Sequence, residues 1–139
     1  MKLSTRSRYG VRILIELGRQ KDKGPVKISD ISKNQGISIK YMEQLIRPLK
    51  EAGFVNSHRG PRGGHFLIKK PEEITLGQLV KILEEKNDLV ECISNPEACE
   101  QSGNCKVRTA WEEAGRALFD KLNSITIADL ITDERPPAR

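Results

Sequence analysis

Six stretches of this chain repeat apolar residues at three- and four-residue intervals, and one stretch between the third and the fourth does not. The period predicts six helices and, in the gap, a β-hairpin. The first helix spans about residues 5–20, with Tyr9, Gly10, Ile13, Leu14 and Leu17 as its apolar stripe. Arg6, Arg8, Arg12 and Arg19 are left toward solvent or phosphate, and a loop over residues 21–25 follows. The second helix is short: Ser29 is placed to cap it, Ile31 leads its apolar side, and Gly36 supplies the residue type that takes a left-handed turn. Ser38 caps the third helix, where Met42, Leu45, Ile46 and Leu49 share one side and Lys40, Tyr41, Glu43, Gln44 and Arg47 fall mainly on the other. Pro48 removes a backbone donor, which predicts a bend or a late break there.

Residues 28–67 therefore outline a helix, a tight turn, a second helix and a basic glycine-rich hairpin. That is the plan of a winged helix-turn-helix that lies on a DNA duplex. Strand-like runs at 54–59 and 65–70 flank Gly60-Pro61-Arg62-Gly63-Gly64, whose glycines let a backbone approach another surface closely. A nucleotide-binding P-loop would end in lysine and serine or threonine and open a helix; this loop does neither, which favours a wing.

Downstream, Thr75 and Gln78 form a capping box, and Ile74 with Leu79 a hydrophobic staple, for a helix ending near Lys86 that buries Leu76, Leu79, Val80 and Leu83. A long helix over about 106–124 carries Val107, Trp111, Ala114, Leu118, Leu122 and Ile125 in one stripe. Little chain remains for it to pack against, so a symmetric partner helix is expected. Thr126 caps a last short helix ending near Ile131, and residues 132–139 read as a disordered tail. The predicted fold is mainly α with a small β-hairpin wing: a DNA-binding domain over 1–70, then a cysteine loop and dimerisation helices over 71–131.

Charge divides at the same boundary. Residues 1–70 carry 16 Lys and Arg against 5 Asp and Glu, net +11, whereas residues 71–139 carry 8 against 14, net −6. Clustered cations bind a phosphate backbone by releasing its counterions, so a basic half that coincides with a helix-turn-helix points to nucleic acid. At 139 residues the chain holds one compact core or two small joined ones, and no apolar run reaches bilayer length. Charged residues from Lys2 to Glu16 interrupt any signal-peptide core, and the cysteine count is odd; both lead to the expectation of a soluble cytoplasmic protein with no membrane partner.

Cys92, Cys99 and Cys105 are the only cysteines and share one acidic, polar segment. Their separations of six and five residues do not match zinc-ribbon pairs, and no histidine lies nearby. An iron-sulfur cluster, two-iron or four-iron, takes thiolates and tolerates varied spacing. Three thiolates leave one position for Glu91, Glu97, Glu100, a partner residue or an exogenous ligand. Buried cysteines of purely structural use would sit in a less polar stretch. A cluster-free thiol switch is disfavoured by the neighbouring glutamates, though Lys106 and Arg108 partly offset them. A cysteine-dependent enzyme or cluster-transfer protein is the remotest reading, because His58 and His65 are the only histidines and flank the wing turn, where they read as surface or phosphate-contacting residues.

Taken together these motifs resemble the Rrf-two family of bacterial transcription regulators. The resemblance covers nearly the whole chain and rests on Met1-Lys2-Leu3 with Arg8-Tyr9-Gly10, on Gly36-Ile37-Ser38 followed by Tyr41 and Glu43-Gln44-Leu45, on Arg59-Gly60-Pro61 with Gly63-Gly64, on Ile74-Thr75-Leu76-Gly77 and on the cysteine trio. It implies a homodimer joined through the long helix, with recognition helices in successive major grooves of a double-stranded operator and wings in the minor grooves. Carried over by position, Ser38, Lys40, Tyr41, Glu43 and Gln44 become base or phosphate contacts, Arg59, Arg62 and Gly63 wing contacts with Arg8 beside them, and Cys92, Cys99 and Cys105 cluster ligands. Where the family's cluster-assembly regulator has a histidine this chain has Arg108, and where its nitric-oxide sensor has an aspartate it has Arg8. The expected function is thus a DNA-binding repressor, not an enzyme, whose affinity follows an iron-sulfur cluster that senses redox state, nitric oxide or iron status. The alternative is the same fold sensing by thiol oxidation or a small ligand.

Overall fold

The structure, a computed structural model, describes residues 2–132. Helices α1 (Thr5–Arg19), α2 (Ile28–Gln35) and α3 (Ile39–Glu51) lead into an antiparallel hairpin of β1 (Val55–His58) and β2 (Gly64–Leu67). Then come α4 (Leu76–Leu83), α5 (Glu91–Ser94), α6 (Lys106–Asn123) and α7 (Ile127–Thr132). The hairpin register pairs Val55 with Leu67 and His58 with Gly64, and Val26 extends it by one bridge to His65. The fold is mainly α with a two-stranded wing, as the hydrophobic pattern implies. The tail expected over 132–139 lies outside the described residues, apart from Thr132, which closes α7.

One core joins the elements. Ile13, Leu14 and Leu17 of α1 meet Ile31 of α2, Met42, Leu45 and Leu49 of α3, Val55 of β1, Leu79 and Leu83 of α4 and Ile127 of α7, all essentially inaccessible to solvent. Two carboxylates near this core are satisfied by side chains. Glu16 accepts from Asn34 Nδ2 at 2.6 Å and Gln35 Nε2 at 2.8 Å, tying α1 to the end of α2. Glu84 accepts from the Ser4 amide and hydroxyl and from the Ser7 hydroxyl, tying the end of α4 to the start of α1.

Three local expectations are corrected. Lys27, not Ser29, is the N-cap of α2: paired backbone bonds to His65 at 2.8 and 2.7 Å hold Val26 extended, and the Lys27 carbonyl at once accepts from Asp30 and Ile31. Pro48 does not break α3, which runs on to Glu51 because Leu49 is wholly buried and its carbonyl accepts from Phe54. That burial offsets the roughly 3 kcal/mol a mid-helix proline costs. Helix α4 stops at Leu83, short of Lys86, since Glu84 turns extended (φ −93°, ψ 138°) to reach Ser4 and Ser7. The capping box of Thr75 and Gln78 forms as expected.

Candidate nucleic-acid interface and cysteine segment

Helix α2 ends at Gly36, whose φ of 66° and ψ of 33° place it in the left-handed region and swing the chain into α3. Ser38 Oγ then accepts the Tyr41 amide at 3.2 Å, so its exposed side chain spends its acceptor on the cap and keeps its hydroxyl proton free. With Met42, Leu45, Ile46 and Leu49 buried, Lys40, Glu43, Gln44 and Arg47 are exposed on the outer face. Tyr41 is different: it is half-buried, its ring meets Tyr9 edge-on at 6.1 Å, and its hydroxyl lies 2.9 Å from Thr5 Oγ1. The residue fixes α3 against α1.

Two grooves flank α3. On one side Glu43, Arg47 and Lys50 face Ile28 at the start of α2 and His65 of β2. On the other, Gln44 and Tyr41 face Arg6 of α1 and Ile82 of α4. Glu43 and Gln44, neighbours on α3, thus face different grooves, the first with Arg47 and Lys50 and the second with Arg6. Lys50 also donates to Ser57 Oγ at 2.9 Å, which braces the wing against α3. Arg47 and Lys50 were not singled out as site residues from the sequence, although their spacing from Glu43 puts all three on one flank.

In the wing, Arg59 and Arg62 are exposed at the turn, and His58 stacks on Phe66 with ring centroids 4.6 Å apart. Gly63 is buried: its amide donates to the Gly60 carbonyl at 2.9 Å, and a Cβ there would collide with the backbone of His58, Arg59 and Gly60. Its residue type is therefore explained by the turn itself. His65 departs from the surface role expected of it. It is half-buried, and its Nδ1 has no hydrogen-bond partner among the described residues. Burial, and then the nearby Lys50 charge, hold its imidazole below the ordinary pKa. Arg8 is exposed on α1.

The cysteine segment connects α4 to α6. Cys92 lies in α5, Cys99 follows a single 3-10 turn (Pro96–Ala98), and Cys105 is the N-cap of α6; Cys92 and Cys105 are half-buried, Cys99 is exposed, and all three are free thiols. Arg108 bonds the segment to α6: its guanidinium donates to the carbonyls of Cys92 and Ile93 and pairs with Glu112 at 3.4 Å. The donor chemistry suits a thiolate-held iron-sulfur group. The side chains are not gathered for one, since among the described residues no three His, Cys, Asp or Glu groups converge on a metal position. Glu91, Glu97 and Glu100 are all exposed.

At the other end of α6, Thr75 Oγ1 donates to Asn123 Oδ1 at 3.2 Å, and just beyond the helix Leu76 donates to the Ile125 carbonyl and Ile127 to that of Ile74. None of its 18 residues is fully buried, and Val107 and Trp111 stand 55% and 45% exposed. No helix among the described residues is long and apolar enough to cross a membrane.

A helix-turn-helix with an arginine-bearing wing on a basic half-chain defines a DNA-binding transcription regulator of the winged-helix class. The chain belongs to the Rrf2 family, described as iron-dependent transcriptional regulator, which matches residues 3–133. It is 46% identical over 133 residues to the protein rrf2 of Nitratidesulfovibrio vulgaris, covering 96% of this chain and 89% of that one. Among solved structures it resembles IscR of T. potens, with a TM-score of 0.76, 31% identity and coverage of 100% and 93% of the two chains. It also resembles CymR (YrzC), the global cysteine regulator of B. subtilis, with a TM-score of 0.78, 35% identity and coverage of 95% and 97%. The protein is accordingly a transcription regulator and not an enzyme.

Proposed function

We propose that the protein is a cytoplasmic homodimeric repressor whose hold on its operator is set by an iron-sulfur cluster on Cys92, Cys99 and Cys105. The observation that carries this is the position of the three free thiols: they occupy the segment that runs from α4, whose Leu79 and Leu83 share the core with α1 and α3, to the long, unburied α6. The cluster would supply a redox- and nitrosylation-sensitive tie among α5, the turn at Cys99 and the start of α6. Lys40, Glu43 and Gln44 would read base edges, with Ser38 and Tyr41 positioning α3, while Arg8, Arg59 and Arg62 take phosphates beside the Gly63 turn.

The chain's own contacts offer a route from sensor to reader. Helix α4, which leads into the cysteine segment, ends on Glu84; Glu84 holds the start of α1 through Ser4 and Ser7; and Thr5 of α1 meets the Tyr41 hydroxyl of α3. Reordering residues 84–105 would tilt α1 and α3 together. Two recognition helices must match half-sites about 34 Å apart, so a small tilt shifts affinity through a two-state equilibrium.

A second reading keeps the fold and the operator but senses by thiol chemistry alone. It is favoured by the ungrouped thiols and by the likeness to the global cysteine regulator. Protein purified without oxygen separates the two. A thiolate-to-iron absorption band, matching iron and sulfide, and operator affinity that changes on chelation support the cluster. Colourless protein that resists reconstitution but changes affinity on mild oxidation would replace it with the thiol reading.

A further inference from the structure

A cleft of about 400 Å³ lies between the end of α4, the segment over 87–93 and the outer flank of α6. The volume is that of a small-molecule site. Its walls mix two kinds of surface. Leu89, Ile93 and Phe119 make it apolar on one side. Charges of both signs ring the rest: Lys81 and Arg116 are cationic, Asp88 and Glu112 anionic. Lys81 stands over the Phe119 ring at 5.4 Å, holding its ammonium at the boundary between the two surfaces. The side-chain oxygen Oδ1 of Asn87, in the wall of the cleft, is buried and has no hydrogen-bond partner among the described residues.

We infer that this cleft binds a small apolar zwitterion of the α-amino-acid class. A carboxylate would pair with Lys81 and Arg116, an ammonium with Asp88 and Glu112, and an apolar side chain would cover Leu89 and Phe119. A simple carboxylic acid or a simple amine satisfies only half of that set. The cleft also lies away from the exposed stripe of Val107 and Trp111, since Glu112, Arg116 and Phe119 occupy a different flank of α6.

Occupancy would bear on the cysteine segment directly. Glu112 pairs with Arg108, and Arg108 holds the carbonyls of Cys92 and Ile93. An ammonium that engages Glu112 competes with Arg108 and loosens that hold. The cleft thus gives the segment a metabolite input separate from its thiols.

The test is calorimetric titration of the full-length protein with L-leucine, L-methionine and L-phenylalanine, and in parallel with 3-methylbutylamine and 4-methylpentanoate, which each lack one charge of leucine. At least one amino acid should saturate a single site, with the amine and the acid about tenfold weaker or worse, as loss of a charged hydrogen bond implies. Gly115→Met keeps the helix and fills the cleft, because its Cβ would rest 3.8 Å from Leu89 Cγ, an ordinary contact without a clash, and it should abolish binding while circular dichroism is unchanged. Asn87→Leu gives a second check with the same expected loss. No saturation by about 10 mM of any amino acid, equal binding of the amine or acid, or undiminished binding by Gly115→Met would each overturn the assignment. Binding to the protein alone is measured, so the result stands apart from the operator and the cluster.

Discussion

The Ser7 hydroxyl donates to the Glu84 carboxylate at 2.6 Å, and Ser4 adds its amide and its hydroxyl to the same oxygen at 2.8 Å each. Ser4 is the N-cap of α1 yet makes no side-chain cap bond, and the carboxylate from the end of α4 takes its amide and hydroxyl and faces the positive end of the α1 dipole. Burial alone would raise the Glu84 carboxyl; the bonds from Ser7 and Ser4 and the Arg6 charge outweigh it and hold the group below the usual glutamate range. A carboxylate lowered on folding stabilises the fold above its unfolded value, and that contribution disappears as pH falls through the folded one. Urea denaturation near neutral pH should find Glu84→Gln about 1 kcal/mol less stable than the parent, with the gap closing in acid below the ordinary carboxylate range. A gap independent of pH would mean that shape and not charge is lost.

The wing carries a pH dependence of opposite origin. His65 is held neutral by burial and by Lys50, so its folded pKa is below the unfolded one. The unfolded chain then binds an extra proton as pH falls through the ordinary imidazole range, and stability declines until the lowered folded value is reached. His65→Gln should flatten the stability profile between about pH 7 and pH 5. Thermal melts across that window decide it; a decline that persists in His65→Gln would assign the proton elsewhere.

Gly64 should be among the least replaceable wing residues. Its φ of +152° disfavours a side chain, and a Cβ would sit 2.6 Å from the Val26 carbonyl carbon and oxygen, where Val26 bridges to His65. Gly64→Ala is expected to cost about 1–3 kcal/mol and to weaken duplex binding beyond what the stability loss explains, since the wing must shift away from the Val26 backbone. An alanine variant of parental stability and affinity would show that the bridge to Val26 is dispensable.

Local signals on the chain foretold much of this. Gly36, the Ser38 cap and the capping box at Thr75 stand where their residue types imply, because each is settled within four residues of sequence. Distant partners settle the rest. Helix α4 ends where Glu84 finds Ser7, 77 positions away, and α2 starts where Val26 finds His65. No periodicity carries such pairings. The partners of the buried Glu16 carboxylate and the groove that Ile28 and His65 form with Glu43, Arg47 and Lys50 depend on α2 and β2 being in place. Helix α5 has four residues, too few for a period, and the convergence of three thiols depends on turns that spacing does not encode.

Gln44 and Arg59 should separate reading from holding. Gln44 is exposed on α3 with an amide fit for adenine, whereas Arg59 stands at the wing turn. With an operator selected from random duplexes, Gln44→Ala should lose about 1–3 kcal/mol against the selected site and little against mixed duplex. Arg59→Ala should weaken both and reduce the salt slope by about one counterion. Equal losses on both duplexes for Gln44→Ala would make it a positioning contact.

The last prediction concerns what covers α6. Helix α6 has 18 residues and none fully buried, and it leaves Val107 and Trp111 55% and 45% exposed on one stripe, a face that a partner helix would cover. Two copies across a two-fold axis would bury the stripe of Val107, Trp111 and Leu118 against itself, and the axis would also set the spacing of the two recognition helices. Trp111→Glu places two like charges at that contact, so sedimentation equilibrium should show a dimer in the parent and at least about tenfold weaker association in the variant. Operator affinity should fall with it, while the DNA-reading half, whose core lies in α1 to α4 and α7, keeps its melting temperature. A Trp111→Glu protein that remains dimeric at the parent's concentration would remove α6 as the interface and leave its stripe to another partner.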